Sequence, residues 1–313
     1  MQEVSRIPDR YSDKAGISAV IPYYGDPKDT LELIRQLQEQ VVASSLEIIV
    51  SDDCSPVPFP QTEGVRLVRR ETNGGFGSAV NSGAAVATGR WLFILNSDLT
   101  LKPNFLQAMV DSGERLGHAL VSPQVVDHKG IGQWVGRAFP TTFHYVWEWF
   151  TPLARFRSTN FWHRMVGHDL KCTTGAVVET DWVIGACMML PTELFLEMGG
   201  FDESFFMNCE EVDLQRRLRD RGVPRVFDGT ITVEHLGGGS SGDSTRRRRW
   251  LLESRFRYAQ KWQESNYLVV ALKIATYLNF IYNTVRSCRN AKVSPRFTLQ
   301  EELEYIKKAQ AQT

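Results

Sequence analysis

Over the first hundred residues short apolar runs alternate with amphipathic stretches. Residues 17–21 read as a strand, followed by the loop Pro22-Tyr23-Tyr24-Gly25-Asp26. Asp29 or Thr30 is placed to cap a helix running to about Gln40, with Leu31, Ile34 and Leu37 on one face. Residues 46–50 and 65–68 read as further strands, the first of them ending in Ser51-Asp52-Asp53. Asn73-Gly74-Gly75-Phe76-Gly77 leads into a small-residue helix over 78–88. Residues 91–95 form a nearly all-apolar strand ending in Asn96-Ser97-Asp98. Buried strands separated by helices predict a mainly parallel α/β sheet, whose ligands bind beyond the carboxyl ends of the strands. Those ends carry Tyr24, Asp52, Asp53, Asn96 and Asp98, so polar groups gather on one rim.

The texture changes at 133–168, where ten aromatic residues from Trp134 to Trp162 crowd between Arg137, Arg155, Arg157 and Arg164. This is an insertion over the site or against a membrane, or else an aromatic satellite core. Residues 181–190 return to a strand-like pattern. A helix is expected over 211–221, carrying the i,i+4 pairs Asp213–Arg217 and Arg216–Asp220 and stopped by Gly222 and Pro224. Residues 230–233 are strand-like and lead to His235. After a glycine- and serine-rich loop at 237–242 the chain is basic and helical.

Residues 267–285 have nearly the length of a transmembrane helix. Their polar members, Lys273, Thr276, Asn279 and Asn283, fall within an arc of about 120° at 100° per residue. One stripe on a broad apolar helix fits a helix lying in a membrane surface better than a span, with Arg246–Arg249, Arg255, Arg257, Lys261, Arg286, Arg289 and Lys292 placed to meet anionic headgroups. A helix docked on the preceding domain is the alternative. Arg246–Arg249 also suit a loop closing on a diphosphate.

Composition narrows the class. The chain has 313 residues, 42% of them hydrophobic and 23% charged, which suits a sizeable core. Net charge is zero, so bulk electrostatics do not point to nucleic acid. Five scattered cysteines without a C-x-x-C pair indicate reduced thiols in a cytoplasmic setting. Residues 1–16 lack the apolar run of a secretory signal.

The rim residues suit sugar transfer from a nucleotide diphosphate. Asp98, after a buried strand, is a hard oxygen donor suited to Mg²⁺ or Mn²⁺, or simply an Asx turn. Backbone N–H groups of 73–77 suit a phosphate or ribose, or only a helix start. Glu210 and Glu211 at a helix N-terminus oppose its dipole or supply a tuned base. His235 is a metal ligand or structural.

Taken in order, these stretches resemble the inverting GT-A glycosyltransferases of family 2, in their bacterial rhamnosyltransferase-like branch. The matching stretches run from Ile21-Pro22-Tyr23-Tyr24 through Ser51-Asp52-Asp53, Asn73-Gly74-Gly75 with Asn81, and Asn96-Ser97-Asp98. They continue through Gly185-Ala186-Cys187, Gly200-Phe201-Asp202-Glu203 and Glu210-Glu211-Val212-Asp213 to His235 and 238–241. The resemblance implies a GT-A domain over 1–245 and a helical tail over 246–313. Pro22, Tyr24, Asp52, Asn73, Gly75, Asn81, Asn96 and Ser97 would hold the nucleotide sugar. Asp98 and His235 would hold Mg²⁺ or Mn²⁺, and Trp182, Gly185 and Asp202 would lie near the acceptor. Glu211, where the family has an aspartate, would be the catalytic base, with Glu210 its rival. Asn96 replaces the first aspartate of D-x-D. The implied activity is inverting transfer, with deoxythymidine diphosphate rhamnose the first expected donor, and the membrane-facing tail suggests a lipid-linked acceptor, as in surface polysaccharide assembly, at the inner face of the cell membrane. A non-catalytic sugar-nucleotide binder is the alternative. A nucleotidyltransferase is disfavoured, because 22–26 lacks a Gly-rich, basic loop.

Overall fold

The computed structural model describes residues 16–237, 244–263, 267–290 and 292–311. The N-terminal 15 residues and the loop at 238–242 lie outside them. In chain order the elements begin with β1 (Ile17–Tyr23), α1 (Lys28–Gln38), β2 (Leu46–Asp52), β3 (Val65–Arg69), α2 (Phe76–Ala84), β4 (Trp91–Leu95) and β5 (Leu99–Thr100). Next come α3 (Phe105–Leu116), β6 (Leu120–Val126), β7 (Gly136–Arg137), α4 (Thr142–Trp149), a 3₁₀ turn (Thr151–Phe156), α5 (Asn160–Met165), β8 (Val177–Glu179) and β9 (Trp182–Val183). The chain closes with β10 (Cys187–Pro191), α6 (Thr192–Glu197), α7 (Glu210–Asp220), β11 (Arg225–His235), α8 (Ser244–Lys261), α9 (Leu268–Ser287) and α10 (Pro295–Ala311).

The chain divides into two compact units, residues 1–137 with 171–242, and 138–170 with 243–313. The first is built on a sheet in the order β3-β2-β1-β4-β10-β6-β11-β5, with β8 on β11. β3, β2, β1 and β4 run parallel, as do β6 and β11. β10 enters antiparallel between β4 and β6, so the sheet is mixed. All five residues of β4 and of β10 are buried, as central strands covered on both faces require.

Local differences from the sequence pattern have local causes. α1 begins at Lys28, whose N–H is held by Asp26 Oδ1 at 2.9 Å, so Asp29 lies in its first turn rather than capping it. Its buried stripe is Thr30, Leu33, Ile34 and Leu37, and Leu31 is exposed. α2 stops at Ala84, short of the expected Thr88. Glu47 Oε1 accepts from the Thr88 hydroxyl at 2.9 Å and from Gly89 N at 3.2 Å, drawing 85–89 into a turn. The strand-like 181–190 is broken into β9 and β10, because Ile184 pairs back to Val135 through its N–H at 3.1 Å.

The second unit gathers the aromatic segment with the C-terminal helices around Tyr145, Leu252, Phe256, Leu268, Leu272 and Ile306. Here the polar stripe of α9 points inward. Trp149 Nε1 donates to Thr276 Oγ1 at 2.9 Å, Thr151 N donates to Asn279 Oδ1 at 2.8 Å, and Asn279 Nδ2 donates to the Trp149 carbonyl at 3.0 Å. Lys273, counted with that stripe in the sequence, is exposed.

Candidate active site

Asp98 and His235 lie 137 residues apart in the chain and meet because two strand ends pair. β5, directly after Asp98, runs antiparallel to the end of β11, with Leu99 opposite His235. Asp98 Oδ1 then lies 3.2 Å from His235 Nε2, and Asn96 Nδ2 lies 3.2 Å from the same nitrogen. Asp98 Oδ2 accepts from Gly237 N at 2.9 Å.

The ring of His235 is oriented by Gln133, a residue the sequence did not single out. Gln133 Nε2 donates to the His235 carbonyl at 2.7 Å, which leaves Gln133 Oε1 to face Nδ1 at 2.8 Å. An amide oxygen only accepts, so the proton sits on Nδ1 and Nε2 turns a lone pair toward Asp98. Asn96 Nδ2 can donate to that lone pair, and Asp98 Oδ1 lies beside it. Burial opposes charge on Asp98, but hydrogen bonding and the neighbouring His235 outweigh it and hold the carboxyl below its ordinary range. A carboxylate oxygen and an imidazole nitrogen placed side by side also suit Mg²⁺ or Mn²⁺. Among the described residues no group of three or more carboxylates, imidazoles or thiols is set to hold a metal. An ion on Asp98 and His235 would complete its shell with diphosphate oxygens and water, as Mg²⁺ commonly does.

The rim continues through Asn96, whose N–H donates to the Ala186 carbonyl at 3.0 Å. Ala186 follows Gly185, and a Cβ built on Gly185 would lie 3.6 Å from Glu211 Cβ and Cγ. Glu210 and Glu211 open α7 after two residues in the left-handed region, Asn208 at φ 68° and Cys209 at φ 69°. Glu210 is buried and Glu211 partly so. Each has a buried Oε2 without a hydrogen-bond partner among the described residues. Burial first, and for Glu210 the neighbouring Glu211 charge, push both carboxyls above the ordinary range. The Arg137 guanidinium, 5.2 Å from the centre of the Trp182 ring, opposes that shift at Glu211. Arg137 reaches this place because β7 pairs with β9, setting it opposite Trp182. Trp182 is itself largely buried.

On the other side, Asp53 accepts from Gly74 N at 3.0 Å and Gly75 N at 2.7 Å and faces Arg70 Nε at 2.8 Å, fastening the Asn73-Gly74-Gly75 turn. Gly75 has φ +87°, and a Cβ there would fall 1.7 Å from the Phe206 carbonyl oxygen. Asn73 Oδ1 accepts from Gly75 N at 3.2 Å. Asp52 is fully buried, accepting from Ser55 N at 2.7 Å and Phe59 N at 3.0 Å and pairing with Arg69. Its carboxylate shapes the loop beside the exposed Tyr24. Asn81 is occupied by the 199–203 turn, bonding Phe201 N at 2.8 Å, the Phe201 carbonyl at 2.9 Å and Glu203 Oε1 at 3.1 Å. Asp202 Oδ1 takes Ser204 N at 2.9 Å. Pro22, Asn96 and Ser97 are partly buried. Hydrogen bonds thus link Asp98 and His235 through Asn96 to Ala186, and Gly185, the residue before it, lies near Glu211.

A strand-end acid beside an imidazole and two acids buried together at a helix start suit a glycosyltransferase, and similarity to known proteins supports that class. The family model for glycosyl transferase family 2 matches residues 18–169 of the chain. Over 218 residues it is 26% identical to the N-acetylglucosaminyl-diphospho-decaprenol L-rhamnosyltransferase of Mycobacterium tuberculosis, covering 63% of this chain and 68% of that protein. Its fold is similar to the mannosyltransferase PcManGT from Pyrobaculum calidifontis in complex with GDP-Man and Mn²⁺, with TM-score 0.57, 14% identity, and coverage of 98% of this chain and 89% of that one. It is also similar to GalNAc-T7 with UDP, GalNAc and Mn²⁺, with TM-score 0.55, 16% identity, and coverage of 96% of this chain but only 55% of that one.

Proposed function

We propose that this protein transfers L-rhamnose from deoxythymidine diphosphate rhamnose to a hydroxyl of a lipid-linked glycan, with inversion, at the inner face of the cell membrane during surface polysaccharide synthesis. The observation that carries the reading is the rim from His235 and Asp98 to Glu211. The sugar and acceptor class rest on similarity to the mycobacterial rhamnosyltransferase.

Asp98 and His235 would hold Mg²⁺ or Mn²⁺, a role supported by their donor geometry and by the Mn²⁺ in both structural neighbours. When bound, that ion supplies positive charge to the departing diphosphate. Asn73 and Gly75 would shape the nucleotide side through the turn that Asp53 fastens, with Pro22, Tyr24, Asp52, Asn81, Asn96 and Ser97 lining or supporting it. Gly185, Trp182 and Asp202 would border the acceptor. Glu211 takes the proton of the acceptor hydroxyl, whose oxygen bonds to the anomeric carbon as the bond to the diphosphate oxygen breaks. Glu210, buried beside it, is the rival for this role.

The test is a thermal-shift screen of nucleotide sugars with Mn²⁺ or Mg²⁺, followed by transfer assays on the best donor. Glu211→Gln is expected to keep donor binding and lower kcat by about 10²–10⁴. Asp98→Ala is expected to abolish metal-dependent donor stabilisation. Full activity in either variant overturns the assignment. Donor binding by the unmodified chain with no transfer to any acceptor would favour a sugar-nucleotide-binding protein.

A further inference from the structure

α9 is amphipathic in the reverse sense from a helix packed on a soluble domain. Thr276, Asn279 and Asn283 are buried, and Asn279 also donates to Glu302 Oε2 at 3.3 Å. The diametrically opposite face consists of Val270, Ile274, Tyr277, Leu278, Ile281 and Val285, within an arc of about 100° at 100° per residue. Ile274, Ile281 and Val285 are 56%, 59% and 66% exposed. Tyr267 and Tyr282 add rings with polar tips beside this patch, the kind of side chain that settles at a membrane–water boundary. A contiguous apolar face of this kind marks an interaction surface rather than a solvated one.

Charge says what covers it. From residue 265 to 300 the chain carries five basic residues, Lys273, Arg286, Arg289, Lys292 and Arg296, and no acidic one. All five are exposed. Two copies joined across this face would bring like charges together, whereas anionic headgroups neutralise them. A span is disfavoured, although α9 is long and apolar enough by composition. Crossing the bilayer would carry Thr276, Asn279 and Asn283, with the partners Trp149 and Glu302, into hydrocarbon.

We infer that α9 seats the second unit on an anionic lipid bilayer, lying in the surface plane with its apolar face in the headgroup–acyl boundary and its basic residues on the headgroups. This surface is independent of which sugar the first unit transfers.

Vesicle flotation of the full chain tests it, comparing phosphatidylcholine vesicles with vesicles containing phosphatidylglycerol. The unmodified chain is expected to float with the anionic vesicles, less so at high salt. Ile274→Glu/Ile281→Glu is expected to lower the bound fraction by about tenfold or more while melting like the parent, because both side chains are exposed. Arg286→Gln/Arg289→Gln/Lys292→Gln is expected to lose the preference for anionic vesicles, by about tenfold or more. Equal flotation of parent and double variant overturns the inference, and so does absence of flotation. A dimer that sediments as a monomer only in the double variant would assign the face to a second copy instead. Flotation uses neither donor nor acceptor, so its failure and failure of the transfer reading are told apart.

Discussion

The proton on His235 is placed by Gln133, whose amide spends its donor on the His235 carbonyl and its acceptor on Nδ1. Replacing it with leucine of similar size removes both bonds and frees the ring to turn. Gln133→Leu is expected to weaken Mn²⁺ binding by about tenfold or more, the usual range for a partner of a metal-ligating histidine. Calorimetric titration with Mn²⁺ measures this, and ¹⁵N shifts of the His235 ring should show a mixture of tautomers where the parent shows one. At Glu211 the sign of a pH effect follows from burial. Its carboxyl is raised, and a base acts only after losing its proton, so kcat/KM should climb with pH through a midpoint above the ordinary value of about 4.3. Arg137→Gln removes the positive charge that opposes the shift and should move this acid limb to higher pH. The same raised carboxyls contribute stability below the ordinary glutamate pKa, which is lost as pH rises through their folded values. An acid limb unmoved by Arg137→Gln would contradict this account.

At the scale of elements, the turn before α2 depends on a backbone that only glycine accommodates. Gly75 combines φ +87° with contact against the Phe206 carbonyl, so an added methyl group must displace residues leading into α7. Gly75→Ala is expected to cost about 1–3 kcal/mol or more of stability in urea titrations. Donor affinity should fall with it, because the turn held by Asp53 and the approach to Glu210 share this contact. β5 shows how little regular structure a site needs. Two residues paired to β11 suffice to hold Asp98 beside His235.

At the scale of the molecule, each unit has a core of its own. Ile306 is fully buried in the second, and Ile306→Ala is expected to cost about 2–5 kcal/mol. In calorimetry this should lower the transition of the second unit, while Mn²⁺ titration stays as in the parent, since Asp98, His235 and Gln133 belong to the first. A loss of metal binding would show that the two cores are not separate supports.

The strands and most helices were legible in the sequence because their signals are local: apolar runs, helical spacing, and glycine before a helix. Asp98 and His235 were legible as candidates for the same reason, each standing at the end of a strand-like run, and Glu211 was legible as an acid at a helix start. Tertiary structure alone decided that Asp52 and Asn81 spend their polar atoms on the frame, and that Arg137 and Gln133 come to the site from beyond the matched motifs. It also decided which face of α9 is buried. A stripe of asparagine and threonine looks solvent-facing along the chain, and it becomes the inner face only where Trp149, Thr151 and Glu302 satisfy its hydrogen bonds. Partners distant in sequence leave no periodic trace, so their pairing is settled by the fold.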